Sequence, residues 1–173
     1  WLPGTDGIIE APAIYAPVTS QEDFDEYRGK LKGKIVFLDK IREQKEPSKP
    51  VFERYGAESL EGMEQFEIPT GKTEETFEEK FVKTTTFSHQ LDDFLEEENV
   101  VAVVRRSKAD GMLVSGQDYQ YLTEMPAQVP GVNMVAEHYD RAIRLMEKGE
   151  NVSFSINVDV NFHEEDTKAY TTI

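Results

Sequence analysis

Residues Glu137 to Phe162 read EHYDRAIRLMEKGENVSFSINVDVNF, and this stretch decides the fold class. Its first half, Glu137 to Lys148, places Tyr139, Ile143 and Met146 on one stripe with Ala142 and Leu145 beside it. That is the 3.6-residue period of an amphipathic helix. Gly149 stands where a left-handed C-terminal cap belongs. The second half, Asn151 to Phe162, changes period. Val152, Phe154, Ile156, Val158, Val160 and Phe162 alternate with Ser153, Ser155, Asn157, Asp159 and Asn161. Strict alternation predicts a strand with one wet face, and Asn151 to Phe162 is expected to be central or near-central in a sheet.

Working outward, other short strands and helices join this pair. Pro130-Gly131 precedes an expected strand at Val132 to Ala136. Val100 to Val104 is a β-branched run of the kind buried on both faces, and Gly33 introduces a second such run, Lys34 to Leu38. Asp110-Gly111 is a turn signal followed by Met112-Leu113-Val114, so 100–116 is expected to form a hairpin-like pair. Ser88 is the expected cap of a helix carrying Leu91, Phe94 and Leu95, with Asn99 closing it. Ser20 is the expected cap of a shorter helix, Gln21 to Tyr27, with Phe24 and Tyr27 on one face. Ile8 to Val18 is apolar, but Pro12 and Pro17 predict an edge or irregular strand. Strands interleaved with two or three helices predict an α/β or α+β domain built on one sheet system.

Residues 40–85 differ in character. Lys and Glu dominate, Pro47, Pro50 and Pro69 interrupt, and apolar residues are sparse. The segment is expected to be an exposed, charged excursion, with a helical turn near Thr76–Val82. The chain as a whole, 1–173, is expected to form a single domain, since 173 residues can bury roughly two thirds of the unfolded surface without a covalent staple.

Charge narrows the function classes. The chain carries 34 acidic and 19 basic residues, a net charge of −15. Such a surface is repelled by phosphate backbones, so nucleic acid is not expected as a partner, and neither is an anionic membrane. No apolar run approaches the roughly 20 residues of a membrane span. The sequence contains no cysteine, which excludes disulfides, a thiol nucleophile and thiolate metal sites. It opens on Trp1-Leu2-Pro3-Gly4, which reads as a processed or excised segment.

No constellation of catalytic residues is legible. His89, His138 and His163 share no i,i+4 spacing, and a zinc site needs three or four converging ligands. Asp159, Asn161 and His163 alternate like half of a calcium loop, but lack its turn glycine and closing glutamate, and the wet face of a strand shows the same pattern. Glu74-Glu75 and Glu96-Glu97-Glu98 are carboxylate runs without the apolar cleft that tunes an acid–base pair. Ser115-Gly116 lacks the first glycine of a nucleophile elbow, and Gly29, Gly33 and Gly71 are too scattered for a phosphate loop. Asn151-Val152-Ser153 matches a glycosylation sequon at the start of the expected strand. The expected catalytic and metal-binding residues are therefore none.

Several stretches, in order, resemble one family. Trp1-Leu2-Pro3-Gly4-Thr5-Asp6-Gly7 is similar to the segment leading into the protease-associated (PA) insert of secreted di-zinc aminopeptidases and their glutamate carboxypeptidase-like relatives. Leu31-Lys32-Gly33-Lys34-Ile35-Val36-Phe37-Leu38 resembles the Gly-Lys-Ile-Val strand of PA domains. Val132 to Arg141, then Arg144-Leu145-Met146 and Gly149, resembles the helix that follows, and Ala169-Tyr170-Thr171-Thr172-Ile173 looks like the return to the peptidase core. The resemblance implies a swivelling β/β/α domain, an open β-barrel or sandwich with two or three flanking helices. It implies an accessory, non-catalytic lid or substrate-access role in a zinc-dependent exopeptidase. That enzyme's zinc, its catalytic domain in cis and its peptide or protein substrate lie outside this chain. It also implies a secreted or periplasmic location. The alternative is a free-standing peptide- or protein-binding module. Within the loop 117–129, Tyr119, Tyr121 and Met125 are the candidate contacts for a substrate or partner, since recognition is commonly carried by loop aromatics.

Overall fold

The computed structural model describes residues 2–43, 54–64, 76–109, 112–115 and 127–161. The chain has a mixed α/β fold, with a five-stranded sheet curled into a half-barrel and four helices among the described residues. The strands are β1 (Ile9–Tyr15), β2 (Ile35–Phe37), β3 (Ala102–Arg106), β4 (Gly131–Met134) and β5 (Ser153–Ile156). The helices are α1 (Asp23–Tyr27), α2 (Ala57–Glu64), α3 (Phe77–Glu97) and α4 (Ala136–Glu147). Across the sheet the order is β4-β3-β2-β1-β5. The first four strands run parallel, and β5 pairs antiparallel with β1.

Two cores, one on each face, explain why β2 and the first three residues of β3, Ala102 to Val104, are apolar. On one face, Val36 and Val103 pack with Phe24 of α1 and with Leu91, Phe94 and Leu95 of α3. On the other, Ile35, Phe37, Ala102 and Val104 meet Tyr139, Ala142 and Ile143 of α4. Ile35, Val36 and Phe37 are fully buried, and complete burial of each such side chain stabilises by about 1.5–3 kcal/mol. Phe24 stacks on Phe94 with ring centroids 4.5 Å apart, and Phe37 lies 4.9 Å from Tyr139 and 5.3 Å from Phe154. The α4 stripe and its glycine stop are as the sequence predicts: Tyr139 and Ile143 are fully buried, and Gly149 has φ 81°.

Five expectations are corrected. First, β1 is interior, lying between β2 and β5. Ala13 donates its N–H to Val152 on the β5 side, and Ala16 donates to Phe37 on the β2 side. Even-numbered residues of β1 therefore aim N–H at β2. Pro12, which has no N–H, falls before that pairing begins at Ala13 and Ile35. Second, β5 is an edge strand of four residues, not a long central one. The burial alternation does hold through Val158, but β1 offers partners only as far as Ile9.

Third, among the described residues no hairpin follows β3. Both edges of β3 are already paired, to β2 and to β4, so Met112-Leu113-Val114 has no edge to join and stays exposed. Fourth, Ser88 lies inside α3, donating its hydroxyl to the Thr84 carbonyl at 2.9 Å. The cap is Thr76, whose hydroxyl accepts from Glu79 N while the Glu79 carboxylate accepts from Thr76 N, a capping box. Asn99, with φ 54°, follows the helix as expected. Fifth, Ser20 does not cap α1. Instead the Asp23 carboxylate reaches back to the N–H groups of Thr19 (2.7 Å) and Ser20 (2.9 Å) and to the Thr19 hydroxyl (3.0 Å).

Among the described residues of 40–85, α2 has no buried residue, and α3 is exposed from Phe77 through Thr84 before it reaches the core. No helix among the described residues is long and apolar enough to cross a membrane.

Candidate functional site

In open parallel sheets, functional groups gather where the strands end, beyond their carboxyl termini. Here that edge carries a dense polar network. β2 ends at Phe37 and, after Leu38, delivers Asp39; β3 ends in Arg105 and Arg106 and delivers Ser107. The two arginines are adjacent and so point to opposite faces of the sheet. Arg105 turns to Asp39, with Nε 3.0 Å from Oδ2 and Nη2 2.9 Å from Oδ1. The same Asp39 carboxylate accepts the Arg106 N–H at 2.7 Å.

Arg106 enters the α4 face and makes a two-pronged pair with Asp140, Nε to Oδ1 at 2.7 Å and Nη2 to Oδ2 at 2.9 Å. Their side chains are 3% and 4% exposed. A buried acid on the apolar stripe of a helix requires a cation. Asp140, between Ala136 and Ile143 on that stripe, was the sequence signal that could have revealed the pair.

Tyr139 ties the network to the backbone. Its hydroxyl donates to the Asp39 carbonyl at 2.9 Å and accepts the Asp39 N–H at 2.8 Å. Burial pushes its phenol well above the usual tyrosine range, so the hydroxyl stays protonated and keeps the donor role. Tyr15, at the end of β1, is also raised, chiefly by burial.

Ser107, fully buried, organises the chain after β3. Its hydroxyl donates to the Leu113 carbonyl at 2.8 Å and accepts the N–H groups of Ser115 (3.0 Å) and Ala109 (3.2 Å). Ala109, Leu113 and Ser115 are thus all bonded to one side chain, and Glu137 of α4 accepts the Met112 N–H at 3.1 Å. Beside it a cleft of about 420 Å³ is lined by Ile41, Arg42, Glu43, Glu137, Asp140 and Arg144.

The chemistry of this edge is that of a latch. The Ser107 hydroxyl is committed to a carbonyl, the Tyr139 hydroxyl to another, and both buried or half-buried arginines face carboxylates. His89 lies on α3 and His138 on α4, helices on opposite faces of the sheet, so they do not converge. Among the described residues no three His, Asp or Glu side chains gather as a metal-binding group. Asp159 and Asn161 are exposed beyond the end of β5, and His163 lies outside the described residues. Tyr119, Tyr121 and Met125 also lie outside them. The network at the strand ends was missed by sequence reasoning because the bonds that join Asp39, Arg105, Arg106, Tyr139 and Asp140 link residues 34 to 100 positions apart. A comparison of the chain with known protein families and with characterised proteins finds no match.

Proposed function

We propose that the chain is a non-catalytic accessory domain of the PA type, inserted in a secreted or periplasmic zinc-dependent exopeptidase and shaping substrate access to it. The observation that carries this reading is the closeness of the two chain segments that flank the sheet. Thr5 donates its N–H to the Val158 carbonyl at 2.7 Å, and the Thr5 hydroxyl accepts the Val158 N–H at 2.8 Å. A domain whose incoming and outgoing segments lie side by side can be spliced into a loop of another domain without distorting it. Further support comes from where the resembling stretches fall. Gly33 to Leu38 contains β2, and Val132 to Gly149 spans most of β4 with α4. A polar network spent on holding backbone also suits a scaffold whose host supplies the zinc and the chemistry.

The test is made on the intact gene product. Residues 5–158 are replaced by a short Gly/Ser linker, which the paired ends permit, and specificity constants are compared for a small aminoacyl reporter and for longer peptides. Turnover of the small reporter is expected to persist while the ratio between short and long substrates shifts, because a wall selects by differential transition-state binding. Unchanged ratios contradict the reading. The exposed run Met112-Leu113-Val114, held outward by Ser107, favours a second reading, a free-standing peptide- or protein-binding module. The reading frame beyond Ile173 separates the two: a His-x-Asp zinc motif within the next hundred or so residues belongs to the first.

A further inference from the structure

We propose that Leu2–Thr5 is a strap that couples the β4 edge of the sheet to the neck formed by Thr5 and Val158, so that the domain follows its neck as one body. The strap is fixed at two places. At one end Leu2 packs against the core that contains Val36 and Val103 and is seated on Gly131, the first residue of β4. A Cβ at Gly131 would lie 2.4 Å from Leu2 Cδ1 and 2.6 Å from Val103 Cγ2, so the seat is only as wide as a glycine allows. At the other end Thr5 makes three hydrogen bonds with Val158: its N–H and, more weakly at 3.4 Å, its hydroxyl donate to the carbonyl, and the hydroxyl accepts the Val158 N–H. There too the approach requires glycine: a Cβ at Gly4 would lie 2.6 Å from the Val158 carbonyl oxygen and 3.0 Å from Val160 N.

Between these anchors lie only three residue steps, at most about 10 Å of chain, which leaves little slack. Yet the anchors belong to opposite ends of the strand order β4-β3-β2-β1-β5. The strap therefore bridges the two edges that the curl of the sheet brings together, at the amino-terminal ends of its parallel strands, the pole opposite the latch of Asp39, Arg105 and Arg106. β4 has a single strand partner among the described residues, β3, and β5 has only β1. Each edge would otherwise be free to fray from its outer side. Closing the interval with a short chain that is pinned at both ends makes the opening of one edge cost contacts at the other. A displacement imposed at the neck is passed to β4 and α4 instead of being absorbed by a loose linker.

This inference does not depend on the peptidase reading, and it is tested on the chain alone by amide hydrogen exchange. The reporters are Thr5 and Val158 at the neck, Val103, which donates to Pro130 beside the seat, and Phe37 in mid-sheet. Leu2→Ala removes the seat, and Thr5→Ala removes the hydroxyl acceptor at the neck. The expected result is crosswise: Leu2→Ala speeds exchange at Thr5 and Val158, and Thr5→Ala speeds it at Val103, each on the order of tenfold, with Phe37 unchanged. Thr5→Ser keeps the acceptor and is expected to behave as the parent chain, as is Ile8→Ala at an exposed site next to the strap. Acceleration confined to the mutated end would overturn the proposal. So would an equal rise at Phe37, because the effect would then be a general loss of stability.

Discussion

Replacing Asp140 by alanine isolates the energetics of the latch. Arg106 and Asp140 are almost completely buried and share two hydrogen bonds of 2.7 and 2.9 Å. Removing the carboxylate leaves a guanidinium, on a side chain only 3% exposed, without its paired charge. Breaking one side of such a pair costs about 3–5 kcal/mol. Removing both sides is different in kind. With Arg106→Met and Asp140→Leu together, the desolvation penalty of two ions disappears along with their attraction, and buried pairs exchanged for apolar residues of similar volume are often neutral or more stable. The double variant is therefore expected within about 1.5 kcal/mol of the parent chain, the usual limit for volume-conserving swaps. Urea denaturation of the parent, the two single variants and the double variant completes the cycle, provided the slope with denaturant stays constant. If Asp140→Ala costs less than about 1 kcal/mol, the pair is solvated and the latch as described is wrong.

Three further outcomes follow from the geometry. Tyr139→Phe keeps the ring against Phe37 but orphans both the N–H and the carbonyl of Asp39, so it is expected to cost about 1–3 kcal/mol in the same denaturation assay; no measurable loss would mean that water replaces the hydroxyl. Phe154→Ala on the edge strand is expected to cost about 2 kcal/mol, below the 3–5 of a fully buried phenylalanine, while Ser155→Ala on the wet face costs little; equal costs would refute the one-sided packing of β5. Asp23 is held below the ordinary aspartate value of 3.8 by the N–H groups of Thr19 and Ser20 and the Thr19 hydroxyl. A depressed folded pKa gives stabilisation that is present above 3.8 and lost as pH falls through the folded value, so the Thr19 and Ser20 amide signals should titrate below 3.8 and cease to do so in Asp23→Asn.

What the sequence revealed follows from which interactions are local. β2 and β3 were legible because burial on both faces leaves an uninterrupted apolar run, and α4 because a single stripe and a glycine stop lie within a few turns. For β5 the alternation of Val152 through Val158 reports that one face is wet, but it carries nothing about neighbours, so an edge position could not be distinguished from a central one. Pro12 misled in the opposite direction, because a missing N–H matters only on the side where a partner strand is present. Thr76-Phe77-Glu78-Glu79 contains a capping box in plain view, but the apolar stripe that announces the helix begins more than two turns later, at Phe87 and Leu91. The latch was the least legible feature. Asp39, Arg105, Arg106, Tyr139 and Asp140 come from three elements or their ends, and only the parallel register of β2 on β3, with α4 behind them, brings them together.

The central claim, that this chain shapes access to a catalytic zinc without carrying one, is met most directly by assaying the purified chain itself. It is to be incubated with zinc and a panel of aminoacyl and dipeptide reporter substrates, and its bound metal measured after dialysis. The expected result is no turnover above the buffer rate and no stoichiometric zinc. Hydrolysis at an ordinary enzymatic rate, on the order of 1–10³ per second, together with one tightly held zinc ion per chain, would contradict it.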